Sequence, residues 1–316
     1  MRLSWIHLST LILTIALGLP LQAQISITGT DPAQVQWNTF QTKHYQLIYA
    51  AGSDSLARVY GHLLEKWYPA TGASVGYLPG EKYKKVSPVI LHPYLARSNG
   101  SVVLAPRRMD LYTVYDANNP IPMPWELNLA IHEGRHLAQL QFGRDGVFKG
   151  FHYLFGEMFA GAMSGVYPSL HLLEGDAVVA ETALTASGRG RTHDFLAWYR
   201  MSLDQGDRRN WYQWRYGSFN RYTPDHYAVG YLTVAGMRVF YDDPLFMKRY
   251  FQSVTAQPLR FGNLQRTMRE CSGKSFRDTW NEILDRQHEI WAREDSLRAP
   301  FTPETPLLKP KKRYAD

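Results

Sequence analysis

Ile131-His132-Glu133-Gly134-Arg135-His136-Leu137 is the stretch on which the reading of this chain turns. Residues four apart on an α-helix project from one face, so His132 and His136 stand one above the other. Two neutral imidazoles placed that way can bind one Zn²⁺, and Glu133 between them can reach a water on the ion as general base. The chemistry needs this arrangement, because zinc lowers the pKa of its water to ~7 and polarises a carbonyl while a carboxylate takes and returns the proton. With 11 His and 12 Glu in 316 residues, the pattern arises by chance in roughly one chain in seventy. The bland alternative is a pair of solvated histidines on an amphipathic helix, and the flanking sequence argues against it.

Working outward, Pro120, Pro122 and Pro124 punctuate a loop before the motif, and a helix is expected to start near Trp125. From there to about Leu297 the pattern is mostly helical. Upstream, His44–Ala50, Lys85–His92, Gly100–Leu104 and Asp110–Val114 have strand character. Between the first two, Ser53–Asp54 can cap a helix whose apolar stripe is Leu56, Val59, Tyr60, Leu63, Leu64 and Trp67. Strands first and helices afterwards predict an α+β fold rather than a doubly wound parallel sheet. Phe151–Leu173 is the most apolar helical stretch, interrupted by Glu157 and glycines, and reads as a buried helix or helical hairpin.

A third metal ligand has to come from elsewhere. The metzincin pattern needs Gly at the third and His at the sixth residue after His136, and those are Gln139 and Phe142. Two glutamates remain as candidates: Glu157, 21 residues after His136, and Glu174, 38 residues after it. Glu174 and Glu181 share a helix face at i, i+7, which offers a ligand and, two turns on, a carboxylate able to orient a ligating imidazole.

His132-Glu133-x-x-His136 followed by Leu173-Glu174-Gly175-Asp176-Ala177 resembles the gluzincin, or peptidase-MA-like, clan of zinc metallopeptidases. Ala105–Leu111 and Glu174–Thr182 are similar, more narrowly, to large exported Bacteroidetes-type proteins in which such a domain precedes a TolB-like β-propeller. The resemblance covers about residues 35–295. It implies a zincin-like fold with a small N-terminal sheet, one catalytic zinc held by His132, His136 and Glu174, and Glu133 as the base for peptide-bond hydrolysis. It also implies a peptide or protein substrate, an envelope or outer-membrane protein as partner, and a propeller missing from this chain. Aminopeptidases of the clan carry a Gly-x-Met-Glu-Asn strand, and Asn99–Leu104 lacks it. The gap of 38 residues implies an inserted helical hairpin around Gly150–Ser169. A transition-state donor facing the metal is expected from a later segment, with Tyr227 and His226 the weak candidates. The alternative to an enzyme is a zinc-stabilised peptidase-like binding module, and the intact Glu133 separates the two.

Export is expected as well. Met1–Arg2, the apolar Leu11–Leu19 and Ala23 have the layout of a signal peptide over residues 1–23, which predicts a periplasmic, outer-membrane-associated or extracellular protein. A domain over 24–298 then precedes a basic, Pro-rich tail or linker over 299–316, which resembles the run into a propeller's first strand. Arg2 and the last eight residues hold four of the seven net positive charges. The weakly basic remainder has no Lys/Arg stripe, so nucleic acid is not an expected partner. The lone Cys271 excludes a disulfide framework within the chain. Arg107–Arg108 reads as a solvated strand edge, with a substrate carboxylate as the functional alternative. Trp211–Gly217 reads as packing rather than a binding platform.

Overall fold

The computed structural model describes residues 31–303 and 305, apart from 84, 116 and 118–120. The expected signal peptide and residues 304 and 306–316 of the expected tail lie outside the described residues.

Five strands come first: β1 Trp37–Gln41, β2 Tyr45–Ala50, β3 Ser87–His92, β4 Ser98–Leu104 and β5 Arg107–Thr113, with α1, Asp54–Ala73, between β2 and β3. Their order in the sheet is β1-β2-β3-β5-β4. The β2–β3 and β3–β5 pairs are parallel, and the outer pairs, β1–β2 and β4–β5, are antiparallel. The chain thus runs from β3 to the outside as β4 and returns as β5, which leaves β4 as an outer strand. The rest is helical: α2 Trp125–Gln139, α3 Gly146–Val166, α4 Ser169–Leu184, α5 His193–Asp204, α6 Trp211–Tyr216, α7 His226–Phe240, α8 Phe246–Ala256, α9 Asn263–Ser272 and α10 Phe276–Arg298. The α+β expectation therefore holds at this level, with a mixed sheet.

Burial explains the layers. Leu47, Val89, Leu91, Met109 and Leu111 of the sheet pack with Ala57, Tyr60 and Leu64 of α1 and Leu129 and Ala130 of α2. A second core lies among the later helices, around Trp280, Ile283, Met237 and Phe251. Val102 of β4 packs against both cores, so the outer strand is anchored where they meet.

Several local expectations are refined. The α2 helix begins at Trp125, and the Trp125 indole N–H donates to the Tyr112 carbonyl at 2.9 Å, tying the helix start to β5. Ser53 sits at the start of α1 without capping it through its side chain, and the adjacent Asp54 accepts from the Tyr49 hydroxyl at 3.0 Å. Arg107 is not a solvated edge residue: it is buried, bonds Ser87 and the Lys85 carbonyl, and lies over the Tyr83 ring. Trp211 and Trp214 are buried, as packing requires, whereas Tyr212 and Tyr216 are exposed. The burial expected of the helix or hairpin near Phe151 is corrected. α3 is two helical segments meeting at Gly156 (φ 63°, ψ −155°), and it turns Tyr153, Leu154 and Phe155 outward.

His92, at the end of β3, is buried between two carboxylates, with Nδ1 2.6 Å from Asp31 and Nε2 3.2 Å from Asp110. Burial opposes charging the ring, but the bonds to Asp110 and Asp31 outweigh it and raise the pKa. A raised folded-state pKa gives stability that is complete below ~6.5, the ordinary value, and is lost as pH rises through the folded value. Thermal unfolding at pH 5.5 and 9 checks this. The native chain should lose more stability between these pH values than His92→Gln, by about 1–3 kcal/mol, the scale of charge-assisted bonds.

Candidate metal centre

The motif helix is positioned by its own arginine. Arg135 is buried and forms a bidentate pair with Asp176 of α4, with both N···O distances 2.8 Å, while its remaining N–H groups reach the Thr71 carbonyl and Ser74 at the end of α1. One guanidinium thereby clamps α1, α2 and α4 together. This buried ion pair is satisfied on all sides, the condition under which such a pair is tolerated in a core.

On the neighbouring face of α2, His132 Nε2 and His136 Nε2 lie 3.1 Å apart. Glu174 Oε2 lies 3.1 Å from the first and 3.3 Å from the second. Among the described residues these three side chains form a group that could hold a metal ion.

The tautomers can be argued from the other ring nitrogens. His132 Nδ1 lies 2.6 Å from Glu181 Oε1, an acceptor only, and 2.9 Å from Arg189 Nη2, a donor only; Arg189 donates to Glu181 at the shorter 2.6 Å, which leaves the proton on Nδ1. His136 Nδ1 is 2.8 Å from Gln139 Oε1. The Gln139 amide cannot be reversed, because its NH₂ donates to the Leu173 carbonyl at 2.9 Å and to Asp176 at 2.7 Å. With the ring proton on Nδ1, the neutral form of each imidazole presents its Nε2 lone pair to the same point as a carboxylate oxygen. Such a cluster needs a proton or a metal ion among its three atoms. Ligands at 2.0–2.1 Å around a tetrahedral ion are about 3.3–3.5 Å apart, within a few tenths of an ångström of the three edges here.

Burial lowers the pKa of His132 and His136, but the neighbouring carboxylates outweigh it and raise both, to about 10 for His132, so a binding metal must displace a proton. Burial disfavours charge on Glu174, but the adjacent His136 and His132 outweigh it and hold the carboxyl ionised, well below the usual range. Glu181 is fully buried, which by itself raises its pKa, yet Arg189 and His132 bring it down to about 2. Arg189 grips Glu181 with Nη2 at 2.6 Å and Nε at 3.1 Å, and its guanidinium lies 4.9 Å from the Tyr227 ring centroid.

Glu133 is also buried, and its Oε2 has no hydrogen-bond partner. Burial is the main cause of its raised pKa, against the opposing pull of His132 and His136. Its Oε1 lies under β4, where a Cβ added at Gly100 would come within 2.4 Å. The group opens into a cleft of about 480 Å³. Asn99 to Val102 of β4 form one wall, and Leu173, Arg189 and Tyr227 contribute to the other.

Each residue expected from sequence can now be placed. His132, His136 and Glu174 come together, with Glu133 beside them and Glu181 behind His132. Glu157 does not join them; its Oε2 accepts from the Arg107 backbone N–H at 2.9 Å. Tyr227 lines the cleft, and its hydroxyl pairs with Glu174, whereas His226 is not in the cleft wall. Sequence reasoning missed Gln139, Arg189 and the Arg135–Asp176 clamp. A usable signal existed for Arg189, which stands between Gly188 and Gly190. A Cβ at Gly188 would come within 2.4 Å of Thr182, and one at Gly190 within 2.3 Å of the Tyr231 hydroxyl. Two glycines let the loop press against α4 and α7 and so deliver the arginine to Glu181.

No family model matches the chain, and no curated protein matches it.

Proposed function

We propose that this chain is an exported zinc metallopeptidase of the gluzincin type, with a zincin-like domain that hydrolyses peptide bonds at the His132–His136–Glu174 centre. The observation that carries the proposal is that two imidazole Nε2 atoms and one carboxylate oxygen converge beside Glu133, a buried carboxylate with an unpartnered oxygen.

A zinc ion held by these three side chains would activate a water and polarise the scissile carbonyl. Glu133 takes the proton from the attacking water and later delivers it to the leaving amine nitrogen. Its burial and raised pKa suit that exchange, because a base tuned towards neutrality both accepts and returns a proton. Glu181 and Gln139 keep the proton of each imidazole on Nδ1. Tyr227, at the cleft wall beside Glu174, is the hydroxyl donor placed to meet an oxyanion. β4 is an outer strand forming a cleft wall, and an extended peptide can add to such an edge through backbone hydrogen bonds.

Metal analysis of the processed protein, combined with mass-spectrometric digestion of a broad peptide library, tests the proposal. About one zinc per chain and zinc-dependent cleavage are expected. A zinc-loaded protein that cleaves nothing would replace the enzyme with a binding module.

Gly100 supplies a sharper expectation. Gly100→Ala should keep the metal, since no ligand is touched, but push the Glu133 carboxylate aside. A misplacement of about 1 Å at a reacting group costs about 10²-fold, so kcat at equal zinc loading should fall on that scale.

A further inference from the structure

An apolar helix that the fold fails to bury calls for a partner, and α3 is such a helix. Tyr153, Leu154 and Phe155 are 74, 76 and 61% exposed, and Phe151 and Met158 beside them are also exposed. At 100° per residue the four of these that precede the break at Gly156, Phe151 and Tyr153 to Phe155, spread over about 200° of the helix circumference. A protein groove takes up a single apolar stripe, usually little more than 100° wide, whereas fluid acyl chains fit any convex shape. Gly156 breaks the helix immediately after Phe155, so the three most exposed residues form the end of a segment.

Charge is distributed to match. Between Gly150 and Leu173 the sole Lys, Arg, Asp or Glu is Glu157, and its carboxylate is engaged by the Arg107 backbone N–H. At the start of the helix stand Lys149, exposed, and Arg144 and Lys82; of the acids near them, Asp145 is bound to Tyr77 and Lys82, and Glu81 accepts from the Leu78 backbone N–H. An uncharged apolar tip with cations at its base complements an anionic headgroup layer over acyl chains. No helix among the described residues is long and apolar enough to cross a membrane. The same chain segment also reaches the cleft, because α3 runs on to Ser164 and Leu170 follows it, and both line the cleft.

We propose that Phe151 to Met158 dock this protein on the surface of an anionic lipid bilayer, inserting Tyr153, Leu154 and Phe155 among the acyl chains without spanning it. The attachment holds the cleft mouth near the bilayer, so substrates are met at that surface. It does not depend on the reaction carried out in the cleft.

Vesicle co-sedimentation tests it, using the processed chain with its N terminus verified beyond Leu19 so that the apolar leader contributes nothing. The probes are vesicles of phosphatidylcholine alone and of phosphatidylcholine with phosphatidylglycerol. The native protein should partition onto both, more strongly onto the anionic ones and less as salt is added. Leu154→Asp with Phe155→Asp should lower partitioning at least tenfold with unchanged circular dichroism and metal content, since both residues are exposed. Lys149→Glu should weaken binding to the anionic vesicles and not to the neutral ones. Native protein that ignores both vesicles overturns the proposal, as does binding that the double variant leaves intact. A concentration-dependent dimer abolished by the double variant, without vesicle binding, would assign the face to a second copy instead.

Discussion

Glu133→Gln is expected to lower peptide hydrolysis by at least ~10²-fold while metal content stays at the native level. The substitution keeps the size and helical position of the side chain and removes its basicity. Glu133 is not one of the three converging donors, so the metal should not notice. Stability should not fall either: burial already penalises the charged form of this carboxyl, and a neutral amide removes that penalty. The measurement is library cleavage by native and variant protein at equal zinc loading. Equal cleavage by both would assign the activity to a contaminant or another site.

Glu174→Ala should lower zinc affinity by more than ~100-fold, beyond the 10–100-fold typical of partners that only orient a ligand. Glu157→Ala, on the neighbouring helix, should leave affinity unchanged, because its carboxylate meets a backbone N–H and no imidazole. Glu181→Gln should fall between them, since it releases the His132 tautomer but removes no ligand. Competition with a chromophoric chelator orders all three. A metal-stripped Glu157→Ala beside a fully loaded Glu174→Ala would refute the assignment.

What was legible in the sequence was whatever depends on one element at a time. The i, i+4 histidines and the i, i+7 glutamates needed only helix geometry, and the proline-rich run marked where α2 starts. β1 went unread because Trp37–Gln41 is an outer strand with mostly exposed side chains, so no alternation of polar and apolar residues appears. Gln139 and Arg189 went unread for another reason: Arg189 acts through Glu181 on a different element, and Gln139, three residues after His136, is fixed in its direction only by Leu173 and Asp176 of α4. The apolar composition of α3 misled in the opposite direction, since composition measures how much a segment gains from leaving water and says nothing about whether its own chain supplies the cover.

The two helices that bring Glu174 and Tyr227 together meet at bare backbone. A Cβ on Gly230 of α7 would lie 1.7 Å from the His171 carbonyl oxygen, and one on Gly175 of α4 would lie 2.1 Å from the Gly230 carbonyl carbon. The spacing between a metal ligand and the hydroxyl facing it is therefore set by two missing side chains. Any other chain that builds its centre this way must leave both positions empty. Two glycines, one directly after the ligand glutamate and one three residues after the tyrosine, then form a search pattern that links the motif helix to a partner nearly a hundred residues downstream. Such a pattern would gather distant kin through a contact in space, where the histidine motif by itself gathers unrelated zinc proteins.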